Sequence, residues 1–306
     1  MLPFPTPFDA RGELDLAALR ANVSRWNATG VSGYVALGST GERVHLDDEE
    51  RLRVVEAARE VVSRDMIFVV GVGQQSTRET IREARRAAAA GADALLVITP
   101  HFYRAAMSQA ALAEHYERVA DASPAPVVVY SIPQNTGVTL AAETVARLSR
   151  HGNIVGLKES SGDVVALVEM LRAVGEDFAM LTGHGSALHA ALSSGARGAI
   201  LAVACCAPLT ALAITRAVGA GDDDRARILQ HRLIPLARAV TTRFGVGGLK
   251  VALDAAGYRG GTVRAPLSMP DDAARAEIAR LIAELADVEG ETTFEGKAGE
   301  PEGAAT

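Results

Sequence analysis

A chain of 306 residues, 48% hydrophobic and with a formal charge of −6, has enough apolar material for one large α/β domain or two smaller ones. Its 31 Lys and Arg are scattered without a basic block, which argues against a nucleic-acid binder. No apolar run reaches the roughly 18 to 20 residues of a membrane helix.

In chain order, the first element is LPFPTPF at 2–8, a short opening strand. No basic segment precedes an apolar one there, and prolines 3 and 5 break any signal helix, so no secretory signal is expected. A helical pattern at 15–28 leads to the apolar run GYVALG at 33–38, and a helix at 47–63 to MIFVVGVG at 66–73. Helix 77–90 precedes ALLVIT at 94–99, and helix 108–121 precedes PVVVYSI at 126–132. Then come helix 140–149, NIVGLK at 153–158, helix 162–174 and FAMLTG at 178–183. Helix 185–194, GAILAV at 198–203 and helix 206–219 complete the series. The last helix starts at the adjacent pair Cys205 and Cys206, read as small apolar side chains in a reducing cytoplasm, not as a disulfide.

Capping chemistry marks the helix starts: Asp47-Asp48, Ser76-Thr77 with Glu79, and Gly162-Asp163. Such alternation predicts parallel strands joined by crossover helices, and eight units in residues 1–222 fit a (β/α)₈ TIM barrel, with a doubly wound sheet as the alternative. Beyond GAGDDD at 219–224, helical patterns at 225–243, 246–256 and 271–287 have no strand between them. They predict a C-terminal helical extension over 223–288. The polar, Gly/Glu/Thr-rich residues 289–306 read as a disordered tail.

In such a barrel the reactive groups gather at the C-terminal strand ends. Those ends carry Ser39 and Thr40, Thr99-Pro100, Tyr130, Lys158 and Gly183. An ammonium withdrawn from water loses stabilisation, so Lys158 in a partly dry barrel can act as a free amine and form an imine with a carbonyl. The protonated imine is an electron sink for cleaving or forming the adjacent carbon–carbon bond. Tyr130 can shuttle the protons, the hydroxyls of Ser39 and Thr40 can carry them onward, and the amides of that Gly-rich turn can hold a carboxylate. Bland readings compete: Lys158 as a snorkelling lysine or one paired with Glu159, Tyr130 as a buried ring, and the turn at 39–42 as a helix start.

Three motifs, GSTGE at 38–42, VVVYSIPQNTG at 127–137 and GLKES at 156–160, resemble those of the dihydrodipicolinate synthase / N-acetylneuraminate lyase family. The likeness runs from about residue 3 to 287, with Tyr130 and Lys158 28 residues apart as in that family. Within it, TPHFYRAAMSQAALAEHY, LQHRLI and RFGVGGLKVALDAAGY are similar to the 4-hydroxy-2-oxoglutarate aldolase branch. The resemblance implies a pyruvate-type class I aldolase on a barrel with a helical extension, commonly a homotetramer, needing no metal or organic cofactor. It implies Lys158 as the imine-forming lysine, Tyr130 as general acid/base, and Ser39 and Thr40 as relay and carboxylate turn. Ser160, Gly183 and Ile200 then line the lysine's pocket.

Two positions depart from the family pattern. Dihydrodipicolinate synthases carry an arginine in the loop after Tyr130, where this chain has Asn135, which lacks a charged fork for a substrate carboxylate. Arg104 is a candidate to replace it. The tyrosine that relays protons from a neighbouring subunit is matched by Phe102, with Tyr103 one residue later. Besides cleavage of 4-hydroxy-2-oxoglutarate, the readings left open are dihydrodipicolinate synthase, a 2-keto-3-deoxy sugar acid aldolase or dehydratase, and a non-catalytic 2-oxo acid binder.

GVGQQST at 71–77 lacks the third glycine and the later acidic residue of a dinucleotide site. The seven histidines show no metal-binding spacing, although His184 and His101 fall near the expected mouth.

Overall fold

The structure, a computed structural model, describes residues 1–289. Seven strands run in order, each parallel to the next: β1 (Gly33–Ala36), β2 (Ile67–Val72), β3 (Ala94–Ile98), β4 (Val127–Ser131), β5 (Ile154–Glu159), β6 (Ala179–Thr182) and β7 (Gly198–Ala199). Helices follow or precede them as α1 (Leu16–Trp26), α2 (Asp48–Arg59), α3 (Thr77–Ala89), α4 (Gln109–Ala122), the single turn α5 (Pro133–Thr136), α6 (Ala142–Leu148), α7 (Val164–Ala173), α8 (Leu188–Ser193) and α9 (Pro208–Gly219). This is the (β/α)₈ barrel architecture, followed by α10 (Asp223–Arg238), α11 (Gly245–Ala255) and α12 (Asp272–Ala283).

The opening strand expected at 2–8 contracts to one bridge, Leu2 against Tyr34. Prolines at 3, 5 and 7 remove every N–H that would point to the β7 side, so no ladder can run along that edge. Leu2 nevertheless closes the barrel. Its N–H donates to Gly33 O (3.0 Å) and its carbonyl accepts from Val35 N (2.8 Å), while Met1 N donates to Ala199 O (2.8 Å). GAILAV likewise shortens to Gly198–Ala199, because the chain turns helical at Ala202.

Strand alternation divides the core. Val35, Val69, Leu96, Val128, Tyr130 and Ile200 form one cluster filling the barrel, while Leu95, Val97, Val127, Val129, Leu157 and Met180 belong to the larger cluster under the helices. The caps read from sequence are in place: Asp47 and Glu50 form a reciprocal capping box, Ser76 accepts from Glu79 N, and Asp163 accepts from Ala166 N.

The helical extension is pinned to the barrel by Lys250 on α11, which is 0% exposed. Its ammonium reaches Glu42 Oε1 (2.6 Å), Thr6 O (2.8 Å) and Thr262 O (2.5 Å) and lies over the Phe8 ring. A buried charge persists only where such partners replace water. Glu42 also accepts from Arg264 N (3.0 Å), and it adopts a left-handed conformation (φ 52°) right after the Ser39–Gly41 turn. Between α10 and α11, Ala239–Arg243 form a π-helical turn, which interrupts the helix expected over 225–243. Residues 290–306, nearly all of the expected tail, lie outside the described residues.

Candidate active site

Parallel pairing of β4 and β5 sets Tyr130 opposite Lys158, so both side chains enter the barrel at one level. Lys158 is 4% exposed and its Nζ stands 4.3 Å from the Tyr130 ring centroid. It forms no ion pair among the described residues. Glu159, the next residue on the strand, turns to the other face, where its Oε1 accepts from Ser161 N (2.9 Å) and burial raises its carboxyl pKa above the usual range. The Lys158–Glu159 pairing considered from sequence is therefore absent.

A sharp bend delivers Ser39. Leu37 adopts φ 55°, and β2 passes so close that a Cβ on Gly71 would lie 2.2 Å from Leu37 O. Glycine at 71 is what permits this approach. The chain then winds one tight turn, Ser39–Gly41, and Ser39 Oγ comes to 3.3 Å from the Tyr130 hydroxyl. Amine, phenol and serine hydroxyl thus come together above the apolar side chains that fill the barrel. Thr40 lies half-buried in the same turn and makes no side-chain hydrogen bond among the described residues.

Gly183, the residue after β6, lies against the lysine. A Cβ there would stand 1.9 Å from Ser160 Oγ and 2.8 Å from Lys158 Cε. Replacing Gly183 with alanine is expected to lower kcat/KM about a hundredfold, the scale of an ångström's misplacement of a reacting group. Steady-state kinetics beside a thermal melt would check this, with the melting midpoint little changed. Ile200 is buried among the barrel residues that include Tyr130.

A cavity of about 440 Å³ opens beside Tyr130, walled by Ser39, Gly73, Gln75, Ile98, His101 and Asn135 among others. Asn135 is exposed on α5. Arg104 is not in that wall; its guanidinium lies against Gly137, where a Cβ would meet Nη1 at 2.9 Å. Phe102 (73% exposed) and Tyr103 (71%) pack edge to face with each other. Tyr103 makes no side-chain hydrogen bond among the described residues. The glycine loop at 71–77 is occupied by the chain itself: Gly73 N donates to Glu83 Oε2 (2.8 Å) and Gly73 O accepts from Arg43 Nη1 (2.7 Å).

Sequence reading missed two supporting residues. Gln134 Nε2 donates to Ser160 O (2.8 Å), tying α5 to the end of β5. Lys250 holds Glu42 at the foot of the serine turn, and its one visible signal is a lysine within the apolar stretch GGLKVAL. Among the described residues, no cluster of His, Cys, Asp and Glu is grouped to hold a metal, and no helix is long and apolar enough to cross a membrane.

Residues 1–285 match the dihydrodipicolinate synthetase family. Over 287 residues the chain is 37% identical to a 4-hydroxy-tetrahydrodipicolinate synthase of Methanothrix thermoacetophila, covering 94% of this chain and 96% of that one. A 4-hydroxy-tetrahydrodipicolinate synthase of Hyphomonas neptunium is 40% identical over 275 residues, 89% of this chain and 93% of that one. The chloride-inhibited dihydrodipicolinate synthase of Acinetobacter baumannii, solved with pyruvate, superposes with a TM-score of 0.87 at 29% identity, covering 94% and 97% of the two chains. The chain belongs to the dihydrodipicolinate synthetase family, and is a pyruvate-dependent class I lyase.

Proposed function

We propose that this enzyme reversibly cleaves 4-hydroxy-2-oxoglutarate to pyruvate and glyoxylate through an imine on Lys158. The observation that carries the reading is Lys158 itself: buried, without a carboxylate partner, and stacked on a tyrosine whose hydroxyl meets Ser39. The amine adds to the C2 carbonyl, and loss of water leaves a protonated imine. Tyr130 takes the proton of the C4 hydroxyl. The C3–C4 bond then breaks, its electron pair moves to C3 and into the iminium to give an enamine, and glyoxylate departs. Reprotonation at C3 and addition of water release pyruvate and restore the amine. Ser39 passes the proton onward, while Thr40 and the amides of its turn hold the C1 carboxylate. Ser160, Gly183, Ile200 and Asn135 line the substrate's path. The chemistry draws on no metal or organic cofactor.

Asn135 supports a substrate that does not require the charged fork of a dihydrodipicolinate synthase. Loss of that contact would cost about 1.5 to 3 kcal/mol for aspartate semialdehyde. The second reading, 4-hydroxy-tetrahydrodipicolinate synthesis, is favoured by the names of the relatives at 37% and 40% identity. Pyruvate release from 4-hydroxy-2-oxoglutarate, keto-deoxygluconate and sialic acid, run beside condensation with aspartate semialdehyde, tests both. We expect the first substrate to win by at least about tenfold, a difference one pocket contact can supply. No release from it while another compound reacts would overturn the assignment.

A homotetramer is part of this reading. Phe102, Tyr103 and Val44 are largely exposed near the barrel mouth, and a second copy would cover them. A cytoplasmic setting agrees with Cys205 and Cys206, which are both buried free thiols.

A further inference from the structure

The loop after β3 puts His101 in the cavity wall and then leaves the body of the protein, since residues 102–106 are all exposed. Its internal hydrogen bonds are short-range: Ala106 N to Tyr103 O (2.9 Å), Met107 N to Arg104 O (3.1 Å) and His101 Nδ1 to Thr99 O (3.1 Å). One side chain from the neighbouring β2–α3 connection holds it. Gln75 Oε1 accepts from both His101 N (2.9 Å) and Phe102 N (2.8 Å). Among the described residues, 101–106 make no hydrogen bond to any other part of the fold. A segment with so few ties lies at the low-stability end of a structure.

The histidine sets which way the glutamine amide faces. A carbonyl only accepts, so His101 Nδ1 carries the proton shared with Thr99 O, and in the neutral ring Nε2 is then an acceptor. Gln75 Nε2 stands 3.5 Å from it, which turns Oε1 toward the two backbone N–H groups. The base of the glutamine is fixed. Glu83 Oε2 accepts from Gly73 N (2.8 Å), Arg43 Nη1 donates to Gly73 O (2.7 Å), and Gln74 N donates to Thr80 Oγ1 (3.0 Å). The far end of the loop meets another wall of the cavity. A Cβ on Gly137, next to the wall residues Asn135 and Thr136, would lie 2.8 Å from Arg104 Cδ.

We propose that residues 101–106 form a strap from one wall of the cavity to the other, and that Gln75 is the positioning residue that latches it. The latch acts through the two N–H groups of the strap and takes no part in bond breaking. It sets how firmly the cavity beside Tyr130 retains a 2-oxo acid. The proposal rests on that cavity serving Lys158. Loosening the strap weakens retention without moving the reacting groups, so half-saturation shifts while the reaction at saturation does not.

Amide exchange measured without substrate reads the latch directly. Gln75 is exposed, so its variants should fold. Gln75→Met keeps the length of the side chain but removes the acceptor, and the amides of His101 and Phe102 should exchange about five- to tenfold faster. Gln75→Glu keeps an oxygen for both and should exchange at the wild-type rate. A role in packing alone predicts the reverse order, with methionine tolerated and glutamate not. Borohydride trapping with pyruvate then reads retention. The pyruvate concentration for half-maximal adduct should rise about five- to tenfold in Gln75→Met, with the same adduct at saturation and no change in Gln75→Glu. Unchanged exchange in Gln75→Met would refute the latch, and faster exchange with unchanged half-saturation would refute its hold on the substrate. Loss of the adduct at saturation in Gln75→Met would make Gln75 part of the chemistry and overturn its positioning role. No adduct in wild type would refute the imine instead, and the exchange rates would still decide the latch.

Discussion

Lys158→Met is expected to abolish pyruvate release, lowering kcat by at least about a thousandfold, because no other group at the strand ends can supply the covalent electron sink. Methionine keeps the length and apolar stem of the side chain, which lies almost entirely inside the barrel, so the fold should survive. The check is a mass measurement. Wild-type protein incubated with pyruvate and borohydride should gain one reduced adduct, mapped to the peptide containing Lys158, and the variant should gain none. Lys250 provides an internal control. It is the more deeply buried lysine, yet its ammonium is consumed by Glu42 and two backbone carbonyls, so it should remain unlabelled. Turnover in Lys158→Met within tenfold of wild type would end the case.

Removing the phenol oxygen should have the next largest effect. Tyr130→Phe keeps the ring that fills the barrel and faces the lysine, but deletes the proposed proton carrier, for an expected loss of about 10² to 10⁴ in kcat. Ser39→Ala removes the next hydroxyl and should cost less, about tenfold. If the two act in series, the double variant should be little worse than Tyr130→Phe, and a stopped-flow measurement of enamine formation should slow in parallel with turnover. Additive losses would show that Ser39 works independently of Tyr130.

The barrel was legible because strands buried on both faces leave dense apolar runs that charge-rich helices interrupt. The Tyr130–Lys158 juxtaposition was legible once those runs were taken as parallel neighbours, since the register brings the two strand ends level. What sequence reading could not supply was direction within a strand. Lys158 and Glu159 look like a pair on paper, but alternation sends them to opposite faces. The serine turn was legible as a glycine-rich motif, whereas the left-handed Leu37 and Glu42 that aim it were not, because neither residue type announces a positive φ. Lys250 escaped for a related reason. Its partners come from residues 6, 42 and 262, contacts that no local pattern encodes.

That last contact has a consequence for how the molecule can change over evolutionary time. The barrel and the helices after it are separate in chain order, yet a cation from the latter holds Glu42 under the serine turn. Stripping away its partner from either side would leave an uncompensated charge worth about 3 to 5 kcal/mol. Recombination that swaps the terminal helices for those of a distant homologue must therefore carry a lysine to the same spot. Otherwise it inherits a barrel whose serine turn has lost its foundation.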